Sequence, residues 1–158
     1  FEMQRRTSAD HMFEQLHQLY MPRLYHTAIY LLGNRAEAED AAGRAFTAAF
    51  LELHVADERV FRLKAARQLF ALCLRHAQQP YGSDEIVPLQ SARAMELLQN
   101  LSELDFQERA AVVFTCVYGC SMRELAHIQR VPEWAVAARL EGSFGKLCGM
   151  RTYAVVSG

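Results

Sequence analysis

The sequence predicts an all-α fold: two small helical domains joined by a short linker, the C-terminal one a helix-turn-helix. Three observations carry this. Apolar residues recur at every third or fourth position, and alternation at period two is rare. Cap and turn residues fall between the periodic segments. Residues 80–90, "PYGSDEIVPLQ", break the periodicity with two prolines, a glycine and a charged pair, the composition of an interdomain linker. That divides the chain into 1–79, 80–90 and 91–158. With 158 residues, 51% of them hydrophobic and 22% charged, it has the balance of one ordinary domain or two small ones.

In the first segment "ADHMFEQLHQLY" sets Met12, Phe13, Leu16, Leu19 and Tyr20 on one face. Pro22 then restarts the chain, because proline suits a first helical turn and not a helix interior. "RLYHTAIYLL" continues with Leu24, Ala28, Leu31 and Leu32 inward, and Gly33-Asn34 stops one helix and caps the next. "RAEAEDAAGRAFTAAFLELH" carries an apolar stripe from Ala38 to Leu53. Residues 59–79 form another helix, with Arg59, Arg62, Lys64, Arg67 and Arg75 and no acid. This run is either an anion-facing surface or a solvated face.

Beyond the linker, "ARAMELLQNL" is short and amphipathic. Asp105 and Glu108 make a capping box for the next helix, which Gly119 ends, and Ser121 and Glu124 make a second box. Pro132 opens the last helix with Val136, Leu140 and Phe144 inward. The tight turn between these last two helices, with small Ala126 at the crossing, reads as a helix-turn-helix.

The formal net charge of −1 argues against strong autonomous DNA binding, which draws its affinity from phosphate neutralisation. The four cysteines are compatible with zinc ligation at helical spacing (Cys73 with His76, Cys116 with Cys120) or with small buried residues in a reducing compartment. No apolar run is long enough to span a bilayer, and "FEMQRR" has no signal-peptide core, which predicts a cytoplasmic protein without membrane contact.

The chain resembles bacterial RNA polymerase sigma factors of the extracytoplasmic-function (ECF) group over nearly its whole length. In the first domain Phe13, Leu16, Tyr20, Pro22, Leu24, Ala28, Leu32, Gly33, Asn34, Ala38, Glu39, Asp40, Phe46 and Phe50 fall in register with the family's F-x-x-L-x-x-x-Y-x-P-x-L stretch and its A-E-D continuation. "FRLKAARQ" is similar to its W-L-x-R-I-A-R-N. In the second domain Arg109, Gly119, Ser121, Glu124, Ala126, Val131, Pro132, Val136, Arg139 and Leu140 match the G-x-S-x-x-E-I-A and V-P-x-x-T-V-K-S-R-L pattern. The resemblance implies a non-enzymatic initiation protein without cofactor or metal. Its partners would be core RNA polymerase, promoter DNA and an anti-sigma protein. It implies polymerase contact through Glu39, Asp40, Phe46 and Phe50. Arg62, Lys64 and Arg67 would meet the opened downstream strand, and Arg123, Arg139 and Lys146 the upstream duplex.

Departures concentrate on these surfaces. Gly43 and Arg44 stand where the family has a glutamine and an acid facing the polymerase, a local charge reversal. Arg130 replaces the turn glycine, and Ala135, Ala137 and Ala138 replace a threonine, a lysine and a serine on the reading helix. Alanine makes no bidentate bond to a base edge. Arg139 is therefore the best remaining DNA contact, or else a surface arginine bonded to the neighbouring helix. Trp134 either anchors a partner or packs on Ile128 or Val131. A second reading follows: a degenerate sigma-like interaction module that regulates transcription without reading promoters. A third is a helix-turn-helix regulator that dimerises through its first domain.

Overall fold

The computed structural model describes residues 2–79, 81 and 92–157, and side chains for residues 3, 7–79, 81 and 92–149. Every regular element among them is helical: α1 (Glu2–Leu32), α2 (Arg35–Leu51), α3 (Glu58–Leu74), α4 (Ala92–Leu101), α5 (Phe106–Val113), α6 (Met122–Gln129) and α7 (Glu133–Ser157). A π-helical turn, Phe114–Tyr118, extends α5. Residues 80 and 82–90 of the expected linker lie outside the described residues.

The caps form as the sequence demands. The Asn34 side chain accepts from the Glu37 N–H, and both capping boxes are closed in each direction. Pro22 does not restart the chain, because α1 runs through it without a break. Pro22 and Gln18, whose carbonyl loses its partner, both face solvent. Water can satisfy that carbonyl, while Tyr20 and Leu24 on the opposite face stay buried in the core. The helix over 59–79 ends earlier than expected, at Leu74, and tighter turns continue to Gln79.

Helices α1, α2 and α3 pack through small residues, with Ala38, Ala42, Ala45, Ala49, Ala65 and Ala66 all fully buried or nearly so. Phe13, Leu19 and Phe144, expected inward, are 39%, 56% and 40% exposed. Leu19 falls beside the stripe Leu16, Tyr20, Leu24 and Ala28, which follows the helical repeat. Phe13 meets Phe46 and Phe50 edge to face, with ring centroids 5.2 and 5.1 Å away, and stacks on His17 at 5.7 Å.

The two sequence halves share one continuous apolar cluster. Phe70 of α3 packs against Phe106 and Phe114, with ring centroids 5.8 and 6.1 Å away. The π turn carries Tyr118 under α3, where its hydroxyl donates to the Arg62 carbonyl at 2.5 Å. Gly119 then reverses the chain at φ 89°, a backbone state that glycine adopts without strain. Buried Arg109 ties three segments together, donating to the carbonyls of Leu101 (2.9 Å), Leu104 (2.8 Å) and Leu31 (3.2 Å). Its guanidinium lies 4.2 Å from the Tyr81 ring centre, and the Tyr81 hydroxyl donates to the Tyr30 carbonyl at 2.9 Å.

Arg130, between α6 and α7, holds the left-handed conformation (φ 55°, ψ 45°) and is the only described non-glycine residue with positive φ. An L side chain there costs about 1–2 kcal/mol, and glycine gives part of that back as unfolded-state entropy. Arg130→Gly should therefore raise unfolding free energy by about 0.5–1 kcal/mol in urea titration. A lowered midpoint would mean that the arginine side chain holds the turn.

Candidate nucleic-acid and partner surfaces

The exposed face of α2 carries Glu39 and Asp40, with side chains 57% and 62% exposed. Each is held one helical turn from an arginine: Arg35 Nε to Glu39 at 3.2 Å, and Arg44 Nε to Asp40 at 3.1 Å. Such surface pairs stabilise little, and a partner can displace them. Arg44 therefore neutralises Asp40 within the helix instead of presenting a bare positive charge. Phe50 is half-buried at the edge of this face. Phe46, of the apolar stripe and expected to contact polymerase, lies in the core, 2% exposed and enclosed by Phe13, His17, Phe50 and Phe61.

The cations of α3 do not make one free stripe. Arg62 is turned toward the second half, where Nη1 pairs with Glu124, Nη2 donates to the Gly119 carbonyl at 2.5 Å, and the guanidinium lies 5.5 Å from the Tyr118 ring centre. In this arrangement it does not face outward as a strand contact would. Lys64 lies 3.8 Å from Glu52, while Arg67 is exposed.

On the second half, Arg139 lies flat against the neighbouring helices, donating to the Gln129 side chain at 2.8 Å and to Gln107 at 3.5 Å. These bonds are the geometry of a surface arginine bonded to the neighbouring helices. Lys146 reaches both carboxylate oxygens of Glu108, at 2.7 and 3.0 Å. That bond, ahead of the opposing effect of burial, holds Glu108 below its ordinary pKa, and the same bond raises Lys146. Arg123 is largely exposed and 3.6 Å from Glu133, and Trp134 is 74% exposed.

Sequence reasoning missed a convergence across the halves. A groove between α3 and α6 is lined by Lys64, Arg67, His127 and Arg130, and it continues past Arg67 and Arg130 to Arg123. Arg123 and His127 lie one turn apart on α6, and Arg130 follows at the left-handed residue that ends it. That spacing was legible, but its apposition to α3 was not.

Cys73 and Cys120 are buried, and burial first of all pushes each thiol up to about 12, so neither is a nucleophile at neutral pH. Cys116 and Cys148 are exposed, contrary to the expectation of burial. Among the described residues no cluster of His, Cys, Asp or Glu has the make-up of a metal site, and no helix is long and apolar enough to cross a membrane.

Glu124 is the hinge of the arrangement because it serves both a capping box and Arg62. Burial pushes its pKa up, but the Ser121 N–H and the Arg62 charge outweigh that and leave it below the ordinary 4.5. A depressed carboxylate stabilises above its unfolded pKa and loses that contribution as pH falls through the folded value. At neutral pH Glu124→Gln should lower stability by about 1–2 kcal/mol. The gap between wild type and variant should close below pH 4.5. A gap that persists in acid would mean that the carboxylate charge is not what matters.

No protein-family model matches the chain, and none of the curated proteins matches it. Among solved structures it is similar to CnrH, from the structure of CnrH in complex with the cytosolic domain of CnrY. The TM-score is 0.69 at 22% identity, covering 89% of this chain and 88% of that one. The likeness is one of fold: the chain shares the all-helical fold of CnrH over most of its length.

Proposed function

We propose that this protein is a sigma-like transcription initiation protein that binds core RNA polymerase and directs it to promoter DNA. The observation that carries the reading is the ECF sigma-like fold extending over both halves of the chain. On this reading residues 1–79 hold the polymerase through Glu39 and Asp40, with Phe50 at the edge. Residues 91–158 engage the upstream duplex through a helix-turn-helix made of α6 and α7. Lys64, Arg67 and Arg123 are the exposed or loosely paired cations for DNA, and Arg62, Arg139 and Lys146 join them only after release from their internal partners. The polymerase supplies the chemistry, in the cytoplasm. CnrH is recorded with the cytosolic domain of CnrY, which supports an anti-sigma-like protein as a further partner.

One observation favours a second reading, a sigma-like module that regulates by protein contact alone. Arg139 and Lys146, the cations of the reading helix, are both bonded within the chain. Reconstitution with core polymerase and a promoter library separates the two. Selected transcripts from a defined promoter class support initiation. Tight polymerase binding with no promoter selected supports the module.

A further inference from the structure

The groove between α3 and α6 gathers cations in a chain whose net charge is −1. Its two connected parts bring together Lys64, Arg67, Arg123 and Arg130, with His127 between them, against the carboxylates of Glu52 and Glu133. Both acids sit at the margins and already have partners: Glu52 takes Gln68 and Lys64, and Glu133 takes Arg123. Arg67, His127 and Arg130 line both parts. The deeper part has a volume of about 530 Å³, within the range of small-molecule sites at about 300–1,000 Å³. Its apolar lining is Phe70, Ala71, Leu74 and Ile128, and Phe70 is only 8% exposed, which leaves little of its ring for a base to stack on.

Convergent guanidinium and ammonium groups around a compact cavity suit a small anion of high charge density, with arginine forks matching phosphate oxygens. We propose that this groove is a binding site for a free polyphosphate chain, either an oligophosphate or the phosphate tail of a nucleotide. The site exists only while α3 and α6 are apposed. A ligand that binds it therefore stabilises by mass action the closed arrangement, in which Arg62 of α3 is held on Glu124 and the Gly119 carbonyl. The site concerns the closed arrangement and stands apart from whether the protein initiates transcription.

The test uses the full chain and calorimetric titration at moderate salt with tripolyphosphate, a nucleoside triphosphate, a short single-stranded oligonucleotide and an acidic peptide. Tripolyphosphate is expected to bind and to raise the melting temperature. Whether the nucleoside triphosphate binds more tightly than tripolyphosphate, or equally, assigns the natural source. Arg67→Gln and Arg130→Gly should each weaken binding about tenfold. Arg44→Gln, a surface cation remote from the groove, should leave binding unchanged. Arg130→Gly is the informative variant because it is expected to stabilise the unliganded fold, so lost binding cannot be put down to misfolding. Equal weakening in all three variants would show diffuse charge attraction and overturn the proposal. Binding confined to the oligonucleotide or to the peptide would overturn it too.

Discussion

Arg109→Met is expected to lose about 3–5 kcal/mol of unfolding free energy, because several hydrogen bonds from a buried charged donor, each contributing about 1.5–3 kcal/mol, go together. The arginine is 8% exposed and serves three backbone carbonyls, those of Leu101, Leu104 and Leu31. Leu101 and Leu104 belong to the end of α4 and the bend before α5, and the Leu101 carbonyl accepts only one backbone bond besides, from the Leu104 N–H at 3.2 Å. Methionine fills much of the volume but donates nothing, so three carbonyls lose a charged donor at once. It also leaves the Tyr81 face without its cation. Arg109→Lys should recover only part of the loss, because an ammonium group cannot span the forked geometry of three separated carbonyls. Urea unfolding followed by far-UV circular dichroism measures both variants. A loss under 1 kcal/mol for the methionine variant would mean that water replaces the guanidinium freely. The Leu31 contact crosses from the second half to the first, so the variant should also loosen the apposition of the halves, read as faster amide exchange at the end of α1.

Phe46→Ala is expected to cost about 3–5 kcal/mol, the range for emptying a phenylalanine site in a packed core. Phe46 touches the rings of Phe13, His17, Phe50 and Phe61, and small alanines of α2 surround it. The helices cannot close over the cavity without moving α1 against α3. Glu39→Ala, one face away, should change stability by about 0.5 kcal/mol or less. The contrast is functional as well. If Phe46 met a partner directly, Phe46→Ala would weaken polymerase binding at full stability. A folded, stable Phe46→Ala protein with reduced polymerase affinity would contradict its place in the core.

Much of the fold was legible because local signals agreed with one another. Asn34, Asp105 and Ser121 cap helices by side-chain geometry that depends on residues at most three positions away. The site was less legible. The cations of the run from Arg59 to Arg75 look alike in sequence, yet Arg62 is bonded across the halves while Arg67 is exposed. Which cation is free depends on what packs opposite it, and no spacing rule carries that. Phe46 and Phe50 are one helical turn apart and equally apolar, and only the position of α1 and α3 buries one more than the other. Pro22 misled because a proline's effect depends on whether the lost hydrogen bond faces water.

The sequence by itself determined the helices and their caps, since these follow from propensity, periodicity and contacts within one turn of chain. The tertiary structure alone decided that the halves share a core, that Arg62 and Arg139 are spent on internal bonds, and that α3 and α6 face each other across a basic groove. The physical reason is range. Capping and helix formation are local, whereas burial, pairing and the convergence of charge arise between residues tens of positions apart, and those are fixed only when the helices pack.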